Sequence, residues 1–527
     1  MAEDGMLIFG GDILTIDPAL PSAATVAVRD DKIVAVGDLE LCKSALGPQH
    51  EKLDLTRRTL VPGFIDTHMH PTMLTFYALN IDLRPIRSID DLKQLMAEGA
   101  KSRDKSEWVV GLDFEEDNLQ ESRLPNRHDL DDCCPDHPAA IIKHDGHMVV
   151  ANSKALSMAE INAQTTAPDG GEIDREKSGT PTGVLRENAV SMITGKLPLP
   201  SMERLEEAAK KTFANLAAHG ITSVGSIIQA DDEGPAGEAG AMEIMLLSML
   251  QAHTPIRFYS VVLGKTIEAI LAGRETPLNH DGNRIGARKL YADGTLGSRT
   301  ACMFEPFADA PDRSGFMTAT NDELYRKMVE AHTAGLQIAI HAIGDKANRT
   351  CVDLYRRLLS EYPRADHRHR LEHASLLTPD TINDMAELGI VVSTQPTFLW
   401  SERNWLMRRI GEKRAEYTYP HRSLLSAGIK IGGASDAPVE NVSVLHGMQC
   451  AVTRHGFVMN QALTPYEALR MYTADAAYIQ HEDKIKGTIT TGKRADMVVL
   501  SANPEKVAPD KIAEIKVEQT IIGGKLV

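Results

Sequence analysis

The sequence predicts an α/β fold, a (β/α)8 TIM barrel, from three observations. Eight short apolar, β-rich runs recur along the middle of the chain, helical patterns lie between several of them, and metal-ligating residue types fall at the ends of the runs. The runs are LVPGFID from Leu60, GITSVGSI from Gly220, IRFYSVV from Ile256 and ARKLYADG from Ala287. They continue with LQIAIHA from Leu336, RHRLEHA from Arg368, GIVVSTQ from Gly389 and IKIGGASDAP from Ile429. Near-continuous apolar strands alternating with helices such as NDELYRKMVEAHTAG and TPDTINDMAEL fit parallel strands buried on both faces. An open doubly wound sheet shares that alternation, but no glycine-rich dinucleotide or P-loop fingerprint supports it.

The elements before and after the barrel read differently. The first ~60 residues and the last ~45 are short strands broken by Gly-Gly and Gly-Lys turns, among them MLIFGG, ATVAVRDDKIVAVG and VEQTIIGGKLV. A β-sandwich built jointly from both termini, residues 1–60 and 484–527, is the expectation, since chain ends commonly lie close together. The barrel then takes 61–71 and 216–483. About 150 residues part the first two barrel strands, far more than a βα connection needs. This stretch, 72–215, carries strand signals of its own (EWVVGLDF, AAIIKHDGHMVV) and reads as an inserted α/β subdomain. It leaves the C-terminal end of strand one, so a lid or substrate wall is expected there.

Composition sets outer limits. The 527 residues are 43% hydrophobic and 25% charged, which is ordinary for a globular protein. A net charge of −16 disfavours nucleic acid or an anionic membrane as partner. No apolar run approaches the roughly 20 residues of a membrane span, and the acidic N-terminus lacks a signal-peptide pattern. Six cysteines without Cys-x-x-Cys spacing read as reduced thiols in a cytoplasmic protein. A homodimer is the base-rate assembly.

Barrel enzymes draw their active-site residues from the C-terminal ends of the strands. Strand one ends with His68 and His70 in GFIDTHMHP, strand five with His341, strand six with His373 and strand eight with Asp436. Residues two apart in a strand face the same way, so His68 and His70 project together. One such histidine is more often merely hydrogen-bonded, and an Asp before Ala-Pro is often a turn residue. Five of them on one rim point to a metal centre of the zinc, iron, manganese or nickel kind.

The segments LVPGFIDTHMH, KLYADGTLGSRTA, HAIGD, LEHA and ASDAPV, with the terminal β modules, resemble the amidohydrolase superfamily, in the branch similar to N-substituted formamide deformylase. That resemblance implies a metal-dependent hydrolase of small-molecule amides or N-substituted formamides with two divalent ions, zinc by preference. It also implies that Lys289 is carbamylated and bridges them: His68, His70, Lys289 and Asp436 around one ion, Lys289, His341 and His373 around the other. A metal-bridging hydroxide would attack the carbonyl, and Asp436 would carry the proton to the leaving nitrogen. Asp66 and Asp345 are expected to orient the imidazoles, Asp293 and Arg299 to build a loop, and Asp113, His144, His147 and Trp400 to face substrate, with Trp405 beside Trp400. A mononuclear deaminase or cyclic-amide hydrolase is the competing enzyme reading. A metal-stabilised binding protein without turnover is the non-enzymatic one.

Overall fold

A computed structural model describes the chain apart from residues 1–4, 102, 115–118, 122, 144–147, 169–170, 198–199, 234–236 and 281, and describes 187–188 and 237–239 by backbone alone. Eight strands form one all-parallel sheet in which each strand pairs with the next in sequence. They are β1 (Phe64–Met69), β2 (Ile221–Gln229), β3 (Arg257–Leu263), β4 (Arg284–Tyr291), β5 (Gln337–Ala342), β6 (Arg370–His373), β7 (Val391–Thr394) and β8 (Ile431–Gly433). Every residue of β1, β2, β5, β6, β7 and β8 is buried, so these strands do not alternate apolar with solvent-facing polar residues; their polar members, among them Asp66, His68, Arg370, Glu372 and His373, are buried too. The last strand returns to the first. Asp436 N donates to His68 O at 2.8 Å, and His70 N donates to Ala437 O at 2.8 Å.

The helices between strands obey local rules. The helix Asn321–Thr333 is capped by Thr320, whose hydroxyl accepts from Glu323 N. The helix Pro379–Leu388 has Pro379 in its first turn and stops at Gly389, which adopts φ +70. Both helices fall where their sequence periodicity puts them.

One expected element divides in two. LVPGFID is not a single strand: Thr59–Pro62 pairs antiparallel with Met497–Leu500, and only Phe64–Met69 enters the barrel. Gly63 makes the crossing, with its N–H on Asp496 O at 2.8 Å. A Cβ there would sit 2.3 Å from Thr222 Oγ1 and 2.6 Å from Thr222 Cγ2. Thr59–Pro62 belongs to a separate eight-stranded sheet drawn from both ends of the chain, including Gly5–Leu14, Ser22–Arg29, Lys32–Gly37 and Val517–Ile522. Its core contains Ile8, Val26, Leu60, Met497, Val499 and Ile521.

The chain divides into two compact units, residues 1–72 with 213–527, and residues 73–212. The second has its own six-stranded sheet, from Gly171–Arg175 through Val109–Phe114 to Ile81–Asp82. It also has its own apolar cores, one around Leu92, Met96, Val109 and Ile141 and one around Trp108, Val149 and Leu185. Among the described residues, no helix is long and apolar enough to cross a membrane.

Gly63→Ala forces a methyl into the buried Thr222 side chain. It is expected to lower stability by about 1–3 kcal/mol, the range for overpacking a filled site, read as a lower urea midpoint with no change in the unfolding slope.

Candidate metal centre

Each donor is placed by the end of a barrel strand. His68 lies within β1 and is buried, while His70 follows the strand and stays partly open. Their rings stand 5.8 Å apart, edge to face. Lys289, in β4, is 1% exposed and puts Nζ 3.5 Å from His68 Nε2. His341 is the fifth residue of β5, and its ring lies 4.5 Å from that of His373, the last residue of β6. Asp436 follows β8, with Oδ1 3.2 Å from His70 Nε2 and 3.4 Å from His68 Nε2. Ligand atoms of His68, His373 and Asp436 all lie within 4.8 Å of one another. His373 and Asp436 hold φ at +67 and +58, sparsely populated for residues with a Cβ; such backbone persists where the surroundings dictate it, often at functional sites.

The imidazoles are oriented by partners on the far side of each ring. Glu372 Oε2 accepts from His68 Nδ1 at 2.5 Å, Gln395 Oε1 accepts from His373 Nδ1 at 2.9 Å, and Gly294 O accepts from His341 Nε2 at 3.1 Å. These contacts assign the N–H to the far nitrogen and leave His68 Nε2, His373 Nε2 and His341 Nδ1 with a free lone pair. Glu372 is itself chelated by Arg370, through Nε to Oε1 at 2.5 Å and Nη2 to Oε2 at 3.0 Å, and Arg370 also donates to Thr67 O. Arg370 and Glu372 are both fully buried.

Asp66 and Asp345, expected in this orienting role, do something else. Asp66 accepts from the backbone N–H of His68 and of Ser435, both at 3.0 Å, tying β1 to the end of β8. Asp345 accepts from Phe304 N and Lys346 N. Asp293 accepts from Cys302, Ile343 and Gly344 N–H groups, and Arg299 pairs bidentately with Asp309, so both build the loop after β4.

The electrostatics suit a cation. Burial, helped by Lys289, drives the His68 pKa well below the usual histidine range; burial and neighbouring His373 do the same to His341, and burial lowers His373. These three rings are therefore neutral and available as ligands. Burial pulls the Lys289 ammonium down to about 8, against the pull of Glu372 and Asp436. Burial would raise the Asp436 carboxyl, but it is set below the usual carboxylate range because a proton in this cluster sits on an imidazole, His68 first, in preference to the carboxylate, and because His70 hydrogen-bonds it. Neutral imidazole nitrogens facing an ionised carboxylate form a donor set of borderline hardness that fits zinc and its neighbours.

Trp400 and Trp405, expected to face substrate, take their described neighbours from outside the ligand cluster. Trp400 is 40% exposed; its ring contacts are His455 at 4.6 Å, His446 at 6.1 Å and the Arg403 guanidinium at 3.6 Å. Among the described residues, two aromatic rings lie beside the proposed ligands: Tyr291, 5.2 Å from the His341 ring and 5.0 Å from Lys289 Nζ, and Phe398, stacked 6.3 Å from His373. Trp405 packs in an apolar cluster with Leu296 and Leu406. Asp113 is the penultimate residue of the strand Val109–Phe114 of the second unit and accepts from Tyr77 Oη at 3.5 Å. His144 and His147 lie outside the described residues. Glu372, Gln395 and Phe398 were not singled out from sequence. The signal for Glu372 was present, however: Arg-x-Glu inside a buried strand implies that the two charges meet.

Removing the carboxylate while keeping bulk, as in Glu372→Leu, leaves the buried Arg370 guanidinium uncompensated. The expected cost is about 3–5 kcal/mol, measured by chemical denaturation of metal-free protein so that stability is separated from ligation.

Comparison with known proteins follows the same lines. Residues 51–527 match the model of the amidohydrolase family. The chain is 30% identical to the putative amidohydrolase YtcJ of Bacillus subtilis (strain 168), covering 98% of each chain. It is 29% identical to the N-substituted formamide deformylase of Arthrobacter pascens, over 99% of this chain and 98% of that one. A solved uncharacterized metal-dependent hydrolase from Pyrococcus horikoshii OT3 superposes with a TM-score of 0.77 at 26% identity, covering 96% of this chain and 99% of that chain.

Proposed function

The chain belongs to the amidohydrolase family and is a hydrolase of carbon–nitrogen bonds other than peptide bonds; from that premise we propose that it cleaves an amide or N-substituted formamide at the cluster around His68 and Asp436. The observation that carries this reading is the convergence of three neutral imidazoles, His70, Lys289 and an ionised carboxylate on one rim of the barrel. The full-length likeness to a formamide deformylase supports the choice of substrate class.

In this reading His68, His70, Lys289 and Asp436 hold one divalent ion, and Lys289, His341 and His373 hold a second, with zinc as the metal. Lys289 serves both only as its carbamate, because an ammonium has no lone pair for a metal while a carbamate offers two oxygens. Its burial, which favours the uncharged amine, suits that modification. The ions would supply Lewis acidity to the carbonyl and lower the pKa of the attacking water.

The protein's own groups do the rest. Asp436 accepts the proton from the water as the C–O bond forms, then delivers it to the nitrogen as the C–N bond breaks, yielding amine and carboxylic acid, or formate from a formamide. Its place between His68 and His70 fixes the carboxylate against rotation. Glu372 and Gln395 keep the ligating nitrogens of His68 and His373 unprotonated and aimed inward. Phe398 offers an apolar surface beside His373 against which a hydrophobic N-substituent would pack in this reading.

Two measurements test the proposal. Elemental analysis of protein prepared with zinc and bicarbonate is expected to give at least two ions per chain, the two of the barrel cluster among them. Lys289→Ala should lose at least one of the barrel ions; equal metal content in the two proteins would remove Lys289 from the site and favour the mononuclear alternative. Asp436→Asn is expected to reduce turnover of N-substituted formamides, followed as formate release, by about 10²–10⁴-fold. Unchanged turnover would rule out Asp436 as the proton carrier.

A further inference from the structure

A second cluster of ligand-type side chains lies ten residues beyond Asp436. The helix Val444–Thr453 carries His446 and Cys450 one turn apart, and i, i+4 positions share a face. The helix ends at Arg454, and Arg454 and His455 both take left-handed backbone, φ +46 and +48. That reversal folds the His455 ring back onto the helix. Cys450 Sγ thereby lies 3.6 Å from His446 Nε2 and 3.3 Å from His455 Nε2, and the three atoms are all within 4.8 Å of one another.

We propose that Cys450, His446 and His455 form a second metal site, selective for zinc or a similarly soft cation and separate from the barrel cluster. The spacing is that of ligands around one ion. Tetrahedral zinc, with Zn–S of about 2.3 Å and Zn–N of about 2.0–2.1 Å, sets sulfur–nitrogen edges of about 3.5–3.6 Å, and the two observed edges are 3.6 and 3.3 Å. Sulfur with two imidazoles is a softer set than the nitrogen and oxygen donors of the barrel, so it selects zinc over magnesium, calcium or manganese. Cys450 is buried while both imidazoles are partly open, which gives a cation an entry path and leaves a fourth position to solvent. Trp400 packs on His455 and ties the site to the segment after β7.

A thiol hydrogen-bonded between two histidines is the competing description, and the ring proton decides between them. Asn441 Nδ2 lies 3.4 Å from His446 Nδ1, an arrangement that puts the metal-free ring's proton on Nε2, facing the sulfur. Ligation through Nε2 moves that proton to Nδ1 and turns the exposed Asn441 amide away. It also displaces the thiol proton, so metal uptake releases acid.

The two sites are distinguishable because, among the described residues, the barrel cluster contains no thiol. The experiment is cobalt(II) titration of the metal-stripped full chain, read by near-ultraviolet thiolate-to-cobalt charge-transfer absorption. Wild-type protein is expected to develop that absorption with about one cobalt beyond those held by the barrel. Cys450→Ser should abolish it while the ligand-field bands of the barrel cobalt persist, and His455→Ala should weaken cobalt binding at the thiol site by more than about tenfold. Wild type that fills without a thiolate band overturns the proposal, as does a band that survives Cys450→Ser. These outcomes do not depend on formamide turnover, so this site and the proposed reaction can fail separately.

Discussion

Closure of the barrel between β8 and β1 is the constraint on which the candidate site depends. Two backbone hydrogen bonds, Asp436 N to His68 O and His70 N to Ala437 O, join segments more than 360 residues apart in the chain. They bring the His-x-His pair and the carboxylate to within 3.2–3.4 Å of each other. Asp66 reinforces the seam from below, bonding the N–H groups of His68 and Ser435 at once. Without this seam, Asp436 would be a solvated turn residue and the imidazoles would face nothing of opposite charge.

A buried chain of charge holds the ring that closure delivers. Thr67 O, Arg370, Glu372 and His68 form a continuous run of hydrogen bonds from backbone to ligating nitrogen, with both charged members fully buried. A buried ion pair gives little net stability, because desolvation offsets the attraction. Its value here is positional: the Arg370 fork fixes the carboxylate, which in turn fixes the tautomer and direction of His68. Burial then works in the same direction on all three inner imidazoles, keeping them neutral. The segment after β8 uses a different device a few residues later, where a helix turn and two left-handed residues bring sulfur and two rings together without any strand.

Much of this arrangement was legible in the sequence because it depends on local periodicity. A strand buried on both faces shows no solvent-facing alternation and is usually rich in apolar residues, so the eight barrel strands could be counted before any pairing was known. Thr320, Pro379 and Gly389 mark helix ends for reasons contained in a few residues. Histidines and a carboxylate at the ends of such runs must lie at the strand termini of the same face if the strands are parallel, and that nominated His68, His70, His341, His373 and Asp436. Lys289 came from resemblance instead, since a lysine within a strand carries no local mark of a buried ligand.

What the sequence could not determine are the choices made by neighbours distant along the chain. Gly63 looks like an ordinary strand residue until Thr222 and Asp496 show that two sheets part there. Asp66 and Glu372 are both strand carboxylates within two residues of a histidine; only the barrel's closure, which puts Glu372 across from His68, gives Glu372 the ring and Asp66 the backbone. Trp400 and Phe398 lie two residues apart, and the turn after β7 decides which one meets His373. Sequence by itself determined the number of strands, their burial and the rim from which the candidate ligands project, because periodicity and burial are properties of single segments. Tertiary structure decided which atom faces which, because hydrogen bonds and pKa shifts depend on distances of a few ångströms between segments that share no local signal.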